Sequence, residues 1–566
     1  MLRWNLFLAT CLAISSMLTA GCGSLSQKNP EFAKDNSVEH LRTVEEREGQ
    51  LEKVAQAHAH YAAGVIHEMR DEQEAALQEY YQAALNDTEN ETLILEVSRR
   101  FIQNKQVDKA IELLSHAAAR PSASGAIHAR LGFLYAQMGK YDEAAVANRA
   151  AISKSPGSLG GYQNLFFNYL QKKQSREALK VLDQAGKQSN AQPEFLIGLA
   201  ELQVEFGAQL PAQKKMANER ALSLLNRAEK LKPASPPLRL KLAEDFVAAG
   251  DSSKAAQIYL DLLKTLPDVP LVRERVHAKL TDIYLRADDK KRAQEQLEAI
   301  IHEDPTNPQA YYFLGNLAYE DKKLPQAEEY FSKTILLNKD FEQAYYELAL
   351  AQLGQGKARE ALNTLDQARV RFAKKFVSEF LSGLAYNRQK EYAEALRHFT
   401  EAEVIAKATE TNRLDHSFYF QVGATYERKG DYEQAEKYFE KSLQISPNFA
   451  EAQNYLGYMW AEHGMKLDHA RELIQKAVQA EPKNAAYLDS MGWVLFKLNQ
   501  PKEALGYVLK AVELSEEPDA TVYDHLGDVY LALSERDKAR AAWQRSLSVE
   551  TNDEVRKKLE GAGVTK

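Results

Sequence analysis

Apolar positions between residues 57 and 551 recur with helical spacing, and the whole pattern then recurs as a block. Starting at Gly423, the block runs through Ala435, Phe439, Ser442 and Pro447. The same ladder reads from Gly132 through Ala144, Asn148, Ala151 and Pro156, and from Gly315 through Ala327, Phe331 and Thr334. It appears again from Gly64, Gly383 and Gly527. Fourteen such units start near residues 57, 91, 125, 159, 191, 236, 274, 308, 342, 376, 416, 450, 485 and 520. Spacings of three and four place the large residues on one helical face, as with Tyr419, Val422 and Tyr426. Each unit therefore predicts two antiparallel helices. Turn residues such as Lys429-Gly-Asp431 separate them, and a proline such as Pro447 or Pro482 follows the second helix. Ala, Leu, Glu, Lys and Gln dominate, all strong helix formers, and β-branched runs are scarce, so little or no sheet is expected.

Many successive starts lie 34 residues apart. That period, with this residue order, resembles the tetratricopeptide repeat. The resemblance covers about 500 residues and implies an all-α superhelical solenoid of about 14 hairpins. In such repeats Gly or Ala beside a Leu lets the two helices approach, and the aromatic after the second-helix Ala fills the gap between hairpins. No unit buries its apolar stripe alone; stacking makes the core continuous. Three insertions interrupt the period: Phe206-Gly-Ala-Gln-Leu-Pro211, Pro267-Asp-Val-Pro270, and Lys407 to Arg413. Such insertions are expected as edge loops, although the first equally suits a longer hairpin. The blocks read as 51–235, 236–415 and 416–551. Residues 552–566 supply a capping helix, over Asn552 to Leu559, and a tail.

The amino terminus reads differently. Arg3 precedes an apolar run from Leu6 to Ala20, too short for an ordinary spanning helix. The run ends in Leu18-Thr-Ala-Gly-Cys22, which resembles a bacterial lipobox, with Thr19 where the family pattern usually has Leu. The resemblance implies a signal peptide over 1–21 and diacylglycerol on Cys22; a plain secretory signal cut near Ala20 is the alternative. Of the two cysteines, Cys11 lies in the removed segment, so Cys22 would be the one mature thiol, a liability in an oxidising compartment unless it carries lipid. Gly23 in place of Asp implies, by the same resemblance, sorting to the outer membrane of a Gram-negative cell, facing the periplasm. Residues 22–50 are polar and read as a tether spanning roughly 30 Å.

Charge narrows the partners. The formal net charge of −8 becomes −9 once Arg3 is removed, which opposes binding of nucleic acid or anionic lipid by a basic face. Chemistry is hard to place. His67-Glu68 and His302-Glu303 lack the second His of a zinc-protease helix, and Pro156-Gly-Ser-Leu-Gly-Gly161 is a loop between hairpins. The repeats consume the chain, leaving nothing of domain size for an active site. No enzyme, cofactor or metal is expected.

The resemblance implies that first helices line a concave groove that binds proteins or extended peptide segments. Aromatic and polar residues on that face, off the packing ladder, are the candidate contacts. They are Tyr61, Phe133, Phe167, Tyr312, Asn316, Tyr319, Tyr346, Phe380, Asn387, Phe420, Arg428, Tyr458, Asp489, Trp493, Phe496, Asp524 and Asp528. Rigid aromatics beside polar groups are what interfaces use as anchors. A clamp for a partner's terminal carboxylate is not expected, because Tyr312 and Tyr346 stand where its cations would be. The segment 454–545 resembles the last units of large repeat lipoproteins of Gram-negative envelopes. Some of these are adaptors of a periplasmic carboxy-terminal processing protease; others scaffold exopolysaccharide export.

Overall fold

The computed structural model describes residues 36–266 and 269–561, with side chains from Glu48 onward. Cys22, the lipobox and the signal segment lie outside the described residues. Among those described, every regular element is helical, and no helix is long and apolar enough to cross a membrane.

The chain divides into two compact units, up to Leu262 and from Leu263. The first unit pairs α1 (Asn36–Met69) with α2 (Gln73–Asn86), α3 (Glu91–Gln103) with α4 (Val107–Ala118), and α5 (Gly125–Gln137) with α6 (Tyr141–Lys154). The series continues with α7 (Leu159–Gln171) and α8 (Ser175–Gly186), α9 (Pro193–Gln209) and α10 (Lys214–Lys230), then α11 (Pro236–Ala249) and α12 (Ser252–Thr265). The second unit pairs α13 (Pro270–Arg286) with α14 (Lys290–Glu303), α15 (Pro308–Glu320) with α16 (Leu324–Leu337), and α17 (Glu342–Gly354) with α18 (Ala358–Arg371). It continues with α19 (Phe376–Arg388) and α20 (Tyr392–Thr409), α21 (His416–Lys429) and α22 (Tyr432–Ile445), and α23 (Ala450–Glu462) and α24 (Leu467–Ala480). The last pairs are α25 (Ala485–Lys497) with α26 (Pro501–Leu514) and α27 (Ala520–Ala532) with α28 (Arg536–Val549), before α29 (Asp553–Gly561). The hairpins stack in order within each unit, as the repeat pattern predicts.

The ladder residues form the joints. A Cβ built on Gly423 would stand 2.8 Å from Phe439, and one on Gly64 2.7 Å from Tyr80. The ring on the second helix thus fills the space a first-helix side chain would need, at interior packing density. Ala435 and Phe439 are fully buried. Most hairpins turn on one residue with a left-handed backbone. It is Gly at 139, 250, 356 and 430, but Lys at 105, 173, 322 and 390, and Asp at 71 and 288. A lysine at φ near +60° carries the strain that glycine avoids, so the turn is held by the packing of its two helices.

The structure corrects two expectations. The polar stretch through residue 50 is helical from Asn36, because its Glu, Leu, Arg and His content favours helix over free chain. The second and third insertions lengthen helices instead of forming edge loops, and the first takes the alternative left open for it, a longer hairpin. α9 and α10 each run 17 residues around a short 3₁₀ turn at Pro211–Gln213, α13 has 17 and α20 has 18. Extra helical turns keep backbone groups bonded, which a loop would leave to solvent. At the end, α29 covers the last hairpin: Val555 is buried against Ala539 and Trp543.

Candidate binding face of the C-terminal repeats

The first helices α23, α25 and α27 start 35 residues apart, at 450, 485 and 520, so equivalent positions line up. Asn454, Asp489 and Asp524 hold one position; Tyr458, Trp493 and Asp528 hold the next, one turn on. The three helices bring these side chains together. The His525 ring on α27 stacks on Trp493 of α25 at 3.9 Å and 15°, and lies 6.3 Å from the Tyr458 ring of α23. Phe496 also stacks with Trp493, at 5.1 Å. His525 Nδ1 is 2.9 Å from Asp489 Oδ2, and Trp493 Nε1 donates to Glu462 at 2.6 Å.

The face is acidic and partly desolvated. Burial raises the Tyr458 phenol above its ordinary pKa, and the carboxylates of Glu462, Asp489, Glu427 and Asp524 add to the rise. Burial likewise raises Glu427 and Asp528. One cation answers them from the cap: Lys558 of α29 donates to both Asp524 oxygens at 2.9 Å and to Asp528 at 2.7 Å. Burial opposes its charge, but those hydrogen bonds prevail and its pKa is raised. Lys497 lies 4.6 Å over the Trp493 ring and donates to the Glu462 carbonyl at 3.2 Å. Asp489 Oδ1 and Asn454 Oδ1 are buried and accept from no protein group.

Tyr458, Asp489, Trp493, Phe496, Asp524 and Asp528 are thus brought to one place. The remaining candidates are dispersed. Phe420 is not a free anchor: it is 4% exposed, within 5.0–5.8 Å of Tyr455, Phe449 and Phe439. Trp493 is 6% exposed, so it too is packed before any partner arrives. Tyr312 lies between Phe331 and Phe341, and Tyr319 packs on the same cluster, with Asn316 partly buried nearby in sequence. Tyr346 is buried and donates to Glu342 at 2.8 Å; Phe380 stacks on Phe376 at 5.5 Å. Asn387 is buried, donating to Thr425 at 3.0 Å and accepting from the exposed Arg428 at 3.5 Å. Tyr61 packs on Tyr80 and donates to Glu96, and Phe167 packs on Phe166. Phe133 alone among the candidate aromatics is exposed, at 41%. The physical reason is reach. Neighbouring first helices lie close enough that a large ring pointed at the groove touches the next helix. The sequence pattern missed His525, Glu462 and Lys558: the first lies one residue off the register, and the others lie outside it.

A second polar cluster sits deeper. Glu379, His398 and Glu401 hold their ligand atoms within 4.8 Å of one another, a spacing a metal could use. Each is already matched, though. The fully buried Glu379 accepts from Arg369 at 3.1 Å and pairs with His398 at 2.7 Å; His398 also meets Arg397, and Glu401 meets Lys374 at 2.9 Å. Three surrounding cations oppose a fourth, so the arrangement reads as an ion network. Burial works to raise the Glu379 pKa, but His398 and Arg369 together hold it below the usual carboxylate range.

Comparison with known proteins finds a repeat family in two stretches of these hairpins. Tetratricopeptide repeat profiles match residues 279–338, 378–448 and 420–485. A TPR repeat-containing protein of Pseudomonas aeruginosa is 30% identical over 227 residues, 39% of this chain and 36% of its own length. The type IV pilus assembly protein PilF of the same organism is 29% identical over 135 residues, 24% of this chain and 53% of its own. The chain therefore spans about a third of the first relative's length and about half of the second's. Among solved structures, the Cut9–Hcn1 hetero-tetramer of the APC/C is similar at 15% identity with a TM-score of 0.40, covering 82% of this chain and 95% of that one. Tetratricopeptide repeats serve generally as non-catalytic, protein-binding scaffolds, and the aromatic and acidic face of the last three repeats is suited to that use.

Proposed function

We propose that this protein is a non-catalytic scaffold, anchored through lipid on Cys22 to the periplasmic face of a bacterial outer membrane, which binds envelope proteins on its first-helix groove. The carrying observation is the convergence of α23, α25 and α27 on one face of aromatic rings and carboxylates. In this reading the bound proteins are a periplasmic protease and its substrates, held together by the array. A second reading makes the chain a scaffold of an export or assembly machine, and the similarity to PilF favours it. Both need the same surface. A photo-crosslinking phenylalanine placed at Tyr458 should capture an envelope protein in intact cells, whereas the same group at exposed Leu509 on α26 should not. Capture only from Leu509 would overturn the groove. Cys22→Ser should release the protein from membranes into the soluble periplasmic fraction, since a polar segment supplies none of the affinity that acyl chains give. Persistence on membranes after a salt wash would overturn the anchor.

A further inference from the structure

The acids of the last repeats are answered unequally. Asp524 and Asp528 share the ammonium of Lys558, which the chain's own cap delivers to them. The face therefore already holds one cationic side chain, between a pair of carboxylates on α27. One helix earlier, Asp489 occupies the position equivalent to Asp524. It is 6% exposed, its Oδ2 is engaged by His525, and no protein group donates to its Oδ1. Asn454, at the equivalent position on α23 and 7% exposed, likewise presents an unpartnered Oδ1. A buried oxygen without a donor carries a desolvation cost, larger when it is charged. That cost is recovered when a ligand brings the donor.

The orientation of Asp489 is fixed by its neighbours. Its Oδ2 reaches forward to His525 on α27, and its charge is felt by the Tyr458 phenol on α23. The carboxylate therefore sits between those two helices on the face they share. The walls around it are the rings of Trp493, His525 and Tyr458, which suit a cation electrostatically. The charges facing this spot are unbalanced. Glu427, Glu462, Asp489, Asp524 and Asp528 stand against Lys497, Lys558 and, beside Glu427, Arg428, with the imidazoles of His463 and His525 also facing these acids; Lys558 is committed to Asp524 and Asp528.

We propose that Asp489 and Asn454, walled by Tyr458, Trp493 and His525, form a subsite for an arginine or lysine side chain of an extended partner polypeptide. This rests on the first-helix groove being the binding surface. A guanidinium has the additional fit of presenting parallel N–H donors to two acceptors at once, and an ammonium can meet them one at a time. The segment bound here would then continue along the acidic face toward α27.

The test uses the full chain and a fluorescein-labelled, end-blocked peptide alternating Gly and Arg, with Lys and citrulline versions as the other arms. Citrulline keeps the shape of arginine and removes its charge. Binding is read by fluorescence anisotropy at two salt concentrations. The Arg and Lys peptides should bind and the citrulline peptide should not. Asp489→Asn, which keeps the acceptor for His525, should weaken binding about 10-fold, since one lost charge-assisted contact is worth about that much. Asn454→Asp, which adds a carboxylate at the equivalent position of the preceding first helix, should tighten it by a similar factor, so the proposal does not hang on one variant's folding. Asp468→Asn, on an exposed position of α24, is the control for general charge. Equal binding of citrulline and arginine, wild-type affinity in Asp489→Asn, or an equal loss in Asp468→Asn would each overturn the subsite. If the photo-crosslink at Tyr458 captures a partner while Asp489→Asn leaves that capture intact, the groove stands and the cation subsite fails.

Discussion

The first-helix face of the early repeats and that of the last three differ most plainly in the residues at two positions. In the early repeats those positions hold Tyr61 and Val65, Leu95 and Arg99, Ala129 and Phe133, Gln163 and Phe167. In the last three they hold Asn454 and Tyr458, Asp489 and Trp493, Asp524 and Asp528. The joints beneath follow one plan in both, a second-helix side chain filling the space over a first-helix glycine: Tyr80 over Gly64 early, and Ile474 over Gly457, Val508 over Gly492 and Trp543 over Gly527 late. Packing therefore fixes the frame and leaves these two positions to vary, and the late repeats have filled them with acids and rings that meet. An array whose units touch only their neighbours can specialise one stretch without disturbing another.

The largest effect should come from attacking a joint in the specialised stretch. Trp543 is fully buried, fills the space over Gly527, donates to Asp528 at 3.2 Å and carries the cap through Val555. Trp543→Ala should cost about 3–5 kcal/mol. Because the array unfolds by parts, native-state hydrogen exchange should speed up in α27, α28 and α29 and stay unchanged in α3 to α8. Uniform loss of protection along the chain would show that the two stretches are not energetically separate. Phe420→Ala belongs with this class, since its ring is core rather than a free contact.

Two buried carboxylates, one in each unit, sharpen the comparison in a second way. Asp245 in α11 is 6% exposed; burial pushes its pKa up to about 6, Lys241 at 3.2 Å only partly offsetting this, and its Oδ2 is unpartnered. Glu379 in α19 is more deeply buried, but His398 and Arg369 hold its pKa low. The signs are opposite. Between pH 3.8 and about 6 the folded state binds the Asp245 proton more tightly than the unfolded chain does, so this group's contribution falls as pH rises through that window. Glu379 binds its proton less tightly when folded, so its contribution is present above about 4.5 and is lost as pH falls below that value. Asp245→Asn should therefore stabilise the first unit at pH 7 by about 1–2 kcal/mol, an advantage that vanishes below pH 4. Glu379→Gln should destabilise the second unit at pH 7 by about 3 kcal/mol, because it strands buried cations. Thermal melts from pH 3 to 8 read both, and a shared sign would break the assignment.

What could be read in the sequence divides along the same line. The period, the hairpins, their starts and the cap were legible because a repeated ladder states the same packing problem many times. The insertions were harder: Pro211 and the Lys407–Arg413 stretch look like loop punctuation, yet the structure spends them on longer helices and short 3₁₀ turns. The face was legible and the burial on it was not. Period places Phe420, Tyr346 and Trp493 on the first-helix face, but whether a ring stays free depends on the residue facing it from the next helix, such as Tyr455 for Phe420. The pairing of His525 with Asp489, 36 residues apart, carries no local signal, since histidine there is off the ladder.

The smallest expected effect tests the plain side of the comparison. Phe133 lies on the first-helix face of the third repeat and is 41% exposed, whereas the neighbouring Leu134 is fully buried. Ring removal there should change stability by no more than about 0.5 kcal/mol, the usual range for surface substitutions. Leu134→Ala, one residue away, should cost about 2–5 kcal/mol. Phe133→Ala should also leave binding of the Gly-Arg peptide unchanged, because no carboxylate shares that stretch of α5 and the charge that draws a cation lies in the last repeats. A melting shift for Phe133→Ala comparable with that for Leu134→Ala would mean that the early face is packed as tightly as the late one. A loss of peptide binding would mean that the early repeats share the work, and the contrast between the two stretches would then be one of degree.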